Sequence, residues 1–442
     1  MKKNRTLGEL SRLQLMFRAL HYRNFRLYFI GQSISLPGTW MQLTTVAWLV
    51  WRLEHNAFLL GLAGFAGRIP AFFMAPLAGV FVDRWSRQRL VILTQVLSMI
   101  QALFLAALMF SGHITVWQII AMSLLLGFID ALALPARQSF IVQLVDRQED
   151  LAGAIALNSS MVNGARMVGP MIAGVIIASA GEGLCFLLNG LTFVPGVVTL
   201  LMMKNVPTHL HASANKAVFQ HLKEGFVYAF GFPPIRALLL LVALVSLTGA
   251  SFTQLLPIFA QQILHGGART QGALASAVGL GAMSGAMFLA MRRSIRGLDT
   301  LIAWAPAVFG LGLLGMGLSS SLWLTLAMMP VIGTGLVMQM AATNTLLQII
   351  ADDDKRGRVM SFYSMAFMGT VPLGSLLAGL LVPFIGAPLT VIAAGLCCIA
   401  GSLSFASKLQ DLRPLIHPIY IRKGILPEVA KGLQSASGTN QP

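Results

Sequence analysis

The feature that most constrains this chain is the recurrence, along its whole length, of apolar stretches of roughly 20 residues. Each stretch is long enough to cross the hydrocarbon core of a bilayer as a helix, which satisfies its backbone hydrogen bonds internally. Only 10% of the 442 residues are charged, whereas a soluble domain carries about 25%. The sequence therefore predicts an all-α, multi-pass integral membrane protein.

Twelve transmembrane helices are predicted, at residues 25–51, 59–82, 90–110, 115–136, 153–178, 184–203, 236–258, 272–291, 300–318, 322–349, 359–384 and 387–406. The longest polar interruption, Lys204 to Arg236, divides them into two sets of six. The chain is thus expected to comprise a basic arm (1–24), an N-terminal half (25–203), a middle loop (204–235), a C-terminal half (236–406) and a tail (407–442).

The distribution of basic residues predicts the orientation of these helices. Of the 31 Lys and Arg residues, 27 fall in the arm, the alternate loops and the tail, and only Arg52 and Arg269 fall in the opposite loops. By the positive-inside rule, both termini are expected to be cytoplasmic. The net charge of +16 is spread over loops and not gathered on one soluble face, so membrane lipid is the expected contact and nucleic acid is not an expected partner.

The two sets of six helices share a residue pattern. Four residues of helix five, Ser159, Gly164, Gly169 and Gly174, recur in helix eleven at a constant offset of 205, as Ser364, Gly369, Gly374 and Gly379. Two similar halves around a central cavity are typical of transporters that work by alternating access.

The polarity of individual helices predicts which of them face lipid. Helices three, six, nine and twelve carry no Asp, Glu, Lys or Arg in their interiors, which is typical of lipid-facing helices. Helix one carries several polar residues, among them Gln32 and Gln42, and helix ten carries Gln339 and Asn344. Helices one and ten are therefore expected to face a wet cavity.

Several kinds of site are not expected in this chain. Cys185, Cys397 and Cys398 lie in apolar segments without ligand-like spacing, so we expect small buried residues, no disulfide and no metal site. The sequence contains no G-x-x-x-x-G-K-[ST] loop for nucleotide binding, and we expect no cofactor. An intramembrane enzyme would need a nucleophile and base, or metal ligands, clustered at one depth, and no such cluster is evident.

Two motifs carry a resemblance to a known family. Between helices two and three stands Gly79-x-x-x-Asp83-Arg84-x-x-Arg87-x-Arg89, and helix five contains "GARMVGPMIAG", Gly164 to Gly174. Together with the two six-helix halves, they resemble the major facilitator superfamily. "ALPARQSF", "IALNSSMVNGAR" and "GRVMSFYSMAFMGTVPLGSLLAG" are similar to its bacterial secretion-effector branch, which includes siderophore exporters and macrolide efflux proteins. The chain departs from the usual motifs at Ser86, Gln88, Ala165 and Ala173.

The resemblance implies a secondary-active transporter. It would export a small organic molecule, such as a drug or a siderophore, by alternating access with proton antiport, and the proton gradient would be the driving force. An importer, or a non-transporting membrane receptor of the same fold, is the alternative. The resemblance also implies a location in the bacterial inner membrane, and we expect the chain to act as a monomer.

The charged motif, Gly79, Asp83, Arg84, Arg87 and Arg89, is interpreted as a gating loop. Small residues allow close helix approach in membranes, and an aspartate can face the positive N-terminus of an incoming helix. In the family picture this loop closes the cytoplasmic side against the start of helix eleven, "DDDKRGR", Asp352 to Arg358. The alternative is a solvated, positive-inside turn. The matching loop of the second half, "MRRSIRG", has no aspartate at the corresponding place.

Among fifteen acidic residues, only Asp130 falls clearly within a predicted span. Ionisable groups inside a membrane are costly and often functional, and burial of a carboxylate favours its protonated form. Asp130 is therefore a candidate for proton coupling. A structural ion pair with Arg137 or Arg166 explains the residue equally well.

Two arginines, Arg68 in helix two and Arg166 in helix five, are predicted near the middle of the membrane. Two cations against one carboxylate would make the N-terminal half of the cavity basic and favour anionic substrates. Alternatively, one arginine neutralises Asp130 while the other reaches the interface or binds backbone carbonyls. Gly169, Pro170 and Gly174 belong to the helix-five motif, and Pro170, together with Pro372 of helix eleven, is expected where the two halves meet.

Overall fold

The computed structural model describes residues 17–74, 85–204, 218–292 and 297–423, and every regular element in these ranges is a helix. Ten helical segments of the described chain are long and apolar enough to cross a membrane, and one of them, Arg356–Arg422, is long enough for two spans. The first helix, Arg23–Glu54, has the length of a span but is more polar than the others. The predicted all-α membrane fold is thus observed.

Six helices form the N-terminal half: α1 (Arg23–Glu54), α2 (Ala57–Ala66, with helical continuation to Met74), α3 (Arg87–Phe110), α4 (Val116–Gln143), α5 (Gln148–Ala180) and α6 (Glu182–Leu201). Two of them begin at side-chain caps. The Asn56 side chain accepts hydrogen bonds from the backbone N–H groups of Phe58 and Leu59 at the start of α2. Thr115 and Gln118 form a reciprocal capping box that starts α4.

The C-terminal half repeats this arrangement with two π-turns. Helix α7 consists of Pro233–Thr248, Phe252–Ile258 and the π-turn Phe259–Ile263, and α8 (Ala268–Met291), α9 (Leu298–Leu318) and α10 (Leu322–Ile350) follow. Helix α11 runs through Arg356–Ser364 and the π-turn Met365–Gly369 into the segment Thr370–Arg422. Gly386, at φ 79° and ψ 159°, breaks that segment, and α12 begins after it.

The predicted spans agree with these helices in number, and the largest differences in extent lie at their ends. Helix α5 begins at Gln148 and not at 153, and α12 continues to Arg422 instead of ending at 406. The predicted middle loop contains an amphipathic helix, Val218–Gly231, which packs against the start of α11. Of the predicted span 59–82, the structure describes the part up to Met74.

The outer surface of the helix bundle is apolar. Leu318, Trp323 and Phe384 are 76%, 77% and 84% exposed, as expected for side chains in contact with lipid. Cys185 and Cys398 are buried as predicted, whereas Cys397 is exposed, because adjacent residues of a helix point in different directions. All three cysteines are unpaired.

The two halves meet through close helix pairs, α5 with α8 and α2 with α11. A methyl group on Gly272 of α8 would lie 2.5 Å from the carbonyl oxygen of Pro170, and one on Gly61 of α2 would lie 2.5 Å from that of Ser375. Positions 170 and 375 differ by 205, the offset of the sequence repeat. The repeat therefore relates equivalent contacts in the two halves.

The contacts of α5 with α8 and of α2 with α11 lie towards one end of the bundle, which we call the closed end. It carries the α1–α2 turn at His55 and Asn56 and the α7–α8 turn before Ala268. Here Gln271 of α8 donates a hydrogen bond to the Thr44 carbonyl oxygen of α1 at 3.1 Å. At the opposite end, ion pairs such as Arg18–Asp150, Arg413–Asp299 and Arg422–Asp352 join residues of the same half.

Candidate functional site

A narrow polar pocket lies inside the N-terminal half. Its volume is about 20 Å³, enough for about one water molecule. Four helices supply its walls: Gln32, Ser35, Thr39 and Gln42 from α1; Thr94, Gln95, Ser98 and Gln101 from α3; Leu126, Asp130, Ala133 and Arg137 from α4; and Asn189 and Phe193 from α6. We call this the N-half pocket.

A chain of buried amides crosses the N-half pocket. Asn189 donates from Nδ2 to Oε1 of Gln42 at 2.6 Å, and Gln42 donates from Nε2 to Oε1 of Gln101 at 2.9 Å. Gln101 in turn donates to the Met122 carbonyl oxygen at 3.2 Å. Each of the three amide residues is only 2% exposed, so the hydrogen bonds between them are shielded from solvent. The chain of amides thus links α6, α1, α3 and α4.

Asp130 lines the N-half pocket from α4. Among the described residues it forms no ion pair, so this conformation contains neither the Arg137 pair nor the Arg166 pair that the sequence suggests. Arg137 lines the same pocket and donates from Nε to the Ala133 carbonyl oxygen of its own helix at 3.4 Å. The carboxylate therefore stands in a polar recess with water-sized space and with a guanidinium group nearby.

Arg166 lies on α5, with its guanidinium carbon 4.8 Å from the ring centroid of Trp40 on α1. Its Nε atom is buried and has no hydrogen-bond partner in the described part of the chain. The backbone beside it packs against the other half, because a methyl group on Gly279 of α8 would lie 2.8 Å from the Met167 Cα. The guanidinium is thus held by an aromatic face near the contact of α5 with α8.

Arg68 stands at an interruption in α2. The regular helix ends at Ala66, residues 67 and 68 form a turn, and helical structure resumes at Ile69. Pro70 explains the break, because proline has no N–H to continue the hydrogen-bond ladder and its ring crowds the preceding turn. The Nη1 atom of Arg68 is buried and lacks a hydrogen-bond partner among the described residues.

The helix-five motif forms two helix contacts. A methyl group on Gly169 would lie 2.6 Å from the Pro37 carbonyl oxygen of α1, whereas one on Gly174 would lie 2.7 Å from the Ala268 carbonyl oxygen of α8. Pro170 lies between them, with its carbonyl oxygen against Gly272. The motif therefore sets how closely α5 approaches α1 within its own half and α8 in the other.

Only part of the predicted gating loop can be placed, since Gly79, Asp83 and Arg84 lie outside the described residues. Arg87 donates from Nη1 to the Ser139 carbonyl oxygen at 3.3 Å, which joins the start of α3 to the end of α4. Arg89 is exposed.

The α10–α11 turn, where the gating loop is predicted to dock, contacts the middle-loop helix and the end of α12. Asp352 accepts a hydrogen bond from the Tyr228 hydroxyl at 3.0 Å and pairs with Arg422 at 3.2 Å. The hydrogen bond from Tyr228, followed by the one from Arg422, holds the pKa of Asp352 below its ordinary value of 3.8.

The polar residues of α3 and α6 were missed by the sequence reasoning, which considered only charged residues in these helices. The missed signal is the spacing of Thr94, Gln95, Ser98 and Gln101, which places four polar side chains on one face of a helix. Asn189 gives no comparable signal, since it is the only amide side chain of a largely apolar helix. Both helices face lipid on one side and the N-half pocket on the other.

Comparisons with known proteins match nearly the whole chain. A family model described as transmembrane secretion effector matches residues 16–417. The staphyloferrin A transporter of Staphylococcus aureus is 26% identical over 86% of this chain and 94% of its own length, and the multidrug efflux pump Tap of Mycolicibacterium fortuitum is 23% identical over 81% and 89%. The enterobactin exporter EntS of Escherichia coli is 25% identical over 66% of this chain and 70% of its own length.

Solved structures share the fold at low sequence identity. A mutant of the nucleoside transporter NupG superimposes with a TM-score of 0.69 at 13% identity, covering 87% of this chain and 99% of that one. The D-xylose-proton symporter gives a TM-score of 0.67 at 16% identity, covering 88% and 96%. The predicted fold class is confirmed.

Proposed function

The chain belongs to the transmembrane secretion effector family of the major facilitator superfamily, and we propose that it exports a small organic molecule in exchange for protons. The predicted family is confirmed, and it is a family of transporters and not of enzymes. The protein is a multi-pass membrane transporter related to siderophore and drug exporters. Export and proton antiport are the proposal.

Alternating access is supported by the way the halves meet. The glycine contacts between α5 and α8 and between α2 and α11 close one end of the bundle, while at the other end the described ion pairs Arg18–Asp150, Arg413–Asp299 and Arg422–Asp352 each join residues of one half. A rocking motion of one half against the other would open the closed end and close the opposite one. With the termini cytoplasmic, as the positive-inside rule predicts, the structure would represent a cytoplasm-facing state.

The observation that carries the proton-coupling part of the proposal is the unpaired position of Asp130 in the N-half pocket, among the residues that the structure describes. A carboxylate that is locked in an ion pair stays charged, whereas one in a confined recess without an ion pair can gain and lose a proton. Glutamine, asparagine, serine and threonine side chains around it provide donors and acceptors for a water molecule. Asp130 would thus take up a proton in one state and release it in the other.

The experiment begins with a deletion strain grown against a panel of toxic and siderophore-like compounds, with intracellular accumulation measured. An exporter lowers the accumulation of its substrate relative to the deletion strain. Higher accumulation in the strain that carries the protein would instead indicate an importer. Failure of the purified protein to catalyse counterflow of any compound in proteoliposomes would indicate a receptor.

Asp130→Asn separates proton coupling from substrate movement. In proteoliposomes with an acidic lumen, wild-type protein should accumulate the compound that the panel identifies, because protons leave as the compound enters. The variant should accumulate no more than wild type does without a gradient, yet retain exchange of labelled for unlabelled compound. Asparagine keeps the size and polarity of the side chain but cannot be deprotonated.

Asp146→Asn is the matched control, since Asp146 is exposed in the turn between α4 and α5. It should leave gradient-driven accumulation at the wild-type level. If Asp130→Asn responds to the gradient as wild type does, Asp130 does not carry the coupling proton.

A further inference from the structure

We propose that Arg68 and Arg166 together bind the anionic group of the transported molecule, so that the substrate is an organic anion with a carboxylate or a group of similar geometry. This inference rests on the proposed transport function and adds its substrate class. The site is distinct from the N-half pocket, because neither arginine is among the residues that line that pocket.

Both guanidinium groups have unused hydrogen-bonding capacity. Arg68 has a buried Nη1 atom and Arg166 a buried Nε atom without a partner in the described part of the chain. In the same part of the chain, neither arginine takes part in an ion pair. Buried donors of native proteins are nearly always paired, so an unpaired cationic donor calls for an acceptor that the described part of the chain does not supply.

The two cations also act on each other. Arg68 on α2 and Arg166 on α5 both lie beside contacts between the two halves, and the charge of Arg68 acts on Arg166. Asp130, a carboxylate in the neighbouring α4, forms no ion pair with either of them. An anion bound between the two arginines would relieve their repulsion, whereas a neutral or cationic ligand would not.

Their place in the fold suits a transport site. Next to Arg166, α5 packs against Gly279 of α8, and one turn before Arg68, a methyl group on Gly64 would lie 2.7 Å from the side chain of Gln254 in α7. Both arginines thus stand on helices of the N-terminal half where these meet the C-terminal half. A ligand bound there contacts the surfaces that move during alternating access.

Two local features prepare the arginines for an anion. The Trp40 ring centroid lies 4.8 Å from the Arg166 guanidinium carbon, and the Nε–H of that guanidinium has no partner among the described residues, so it can donate to a carboxylate. The break in α2 at residues 67 and 68 puts non-helical backbone at the depth of the membrane. Such backbone is tolerated where it is enclosed by protein or lines a wet cavity.

The test measures equilibrium binding of three probes that share one ring system and differ in charge: 1-naphthoate, 1-naphthamide and 1-naphthylmethylammonium. Calorimetry on the purified full-length protein in nanodiscs, without any gradient, should show binding of naphthoate that is about tenfold or more tighter than binding of the amide or the ammonium. The factor is expected because one charge-assisted hydrogen bond is worth about one tenfold step in affinity or more.

The variants Arg68→Gln and Arg166→Gln should each lose this preference for the anion. Arg269→Gln, at an exposed arginine of the α7–α8 turn region, is the matched control and should bind naphthoate as wild type does. Arg166→Lys keeps the charge without the flat fork and should bind with intermediate affinity. Size-exclusion chromatography of each variant shows whether it is folded. If a glutamine variant is not folded, the comparison of Arg166→Lys with wild type still tests the proposal.

Several results would overturn the inference. These are no binding of naphthoate to the wild type, equal affinity for the three probes, or an unchanged preference in both glutamine variants. Because binding is measured without a gradient, its result is independent of export. Proton-coupled transport of a neutral or cationic compound would reject the anion site alone, while anion binding without transport would reject the proposed function alone.

Discussion

Gln101 holds the buried amide chain together because it uses both ends of its side-chain amide. Its oxygen accepts from Gln42 on α1, and its nitrogen donates to the Met122 carbonyl on α4. A residue that lacks this amide would leave the Gln42 Nε2 donor unpaired in an enclosed site, and the cost of such an unpaired group is larger than the gain from making one hydrogen bond. Gln101 thus fixes the relative positions of three helices.

Gln101→Leu is therefore expected to destabilise the protein by about 1–3 kcal/mol, the cost of leaving the Gln42 donor unpaired. The measurement is the thermal unfolding midpoint in detergent, which should fall. Gln262→Leu is the matched control, because Gln262 is exposed, and its midpoint should stay close to that of wild type. Equal midpoints for the two variants would mean that the amide chain does not stabilise the bundle.

At the same scale, the charged residues inside the membrane-spanning helices could be identified from the sequence, but their contacts could not. Asp130, Arg68 and Arg166 could be found because a charge in an apolar helix is rare and conspicuous. Whether they pair with one another depends on the rotation and tilt of the helices, which the sequence pattern does not determine. The amides of α3 and α6 were not predicted for a different reason. A neutral polar residue costs less free energy in a membrane helix than a charged one, so a single such residue does not indicate a site.

At the scale of whole elements, the middle-loop helix Val218–Gly231 is joined to the start of α11 by a small network. Asp352 accepts from Tyr228, the Arg358–Glu224 pair measures 2.9 Å, and Lys355 lies 4.6 Å from the Tyr228 ring centroid. The end of α12 adds Arg422 to Asp352. Three separate segments therefore converge at the α10–α11 turn.

Asp352→Asn is expected to loosen this network by less than about 1 kcal/mol, since exposed ion pairs are worth little. The pKa of Asp352 is lowered by the Tyr228 hydrogen bond, so its contribution is complete above its ordinary pKa of 3.8 and is lost only as the pH falls through the lowered value. The network should thus be unaffected between about pH 5 and pH 8, a range over which free carboxylates stay ionised.

Limited trypsin digestion within the middle-loop helix measures this effect. Cleavage should be faster in Asp352→Asn than in wild type at about pH 8, while exposed Asp354 changed to Asn should behave as wild type. A transport rate that changes between about pH 5 and pH 8 should keep the same profile in Asp352→Asn. A profile shifted by this variant would show that Asp352, and not a residue in the membrane, sets the pH dependence.

The sequence predicted the membrane-spanning parts of the helices well, but it predicted their extensions beyond the membrane poorly. A span is recognisable by about 20 apolar residues in succession, but α12 continues to Arg422 as an amphipathic helix that buries Leu409, Leu412 and Ile416. Pro414 and Pro418 within this stretch disfavour a helix by local rules. Packing against the rest of the C-terminal half, with Arg413 bonded to Asp299 and Thr300, outweighs that local preference.

At the scale of the whole molecule, the glycines of the closed end determine how near the two halves can come. Gly174 faces the backbone of α8 at Ala268 and Arg269, and Gly379 faces Ala57 of α2. These neighbours are backbone atoms, which cannot rotate away as a flexible side chain can. A larger residue at position 174 must therefore push α5 and α8 apart.

Gly174→Ile is expected to disfavour the conformation described here, in which the closed end is shut, and to favour the conformation in which that end is open. Asp83→Asn, which removes the aspartate of the predicted gating loop, should have the opposite effect and favour the conformation described here. Each variant should lower transport, because a cycle slows when either state is disfavoured. Spin labels at Glu54 and Gln262, exposed residues of the two halves at the closed end, report the shift when the native cysteines are replaced. The label distance should lengthen in Gly174→Ile and not in Asp83→Asn. Lengthening in both variants would show that Asp83 does not stabilise the conformation in which the closed end is open.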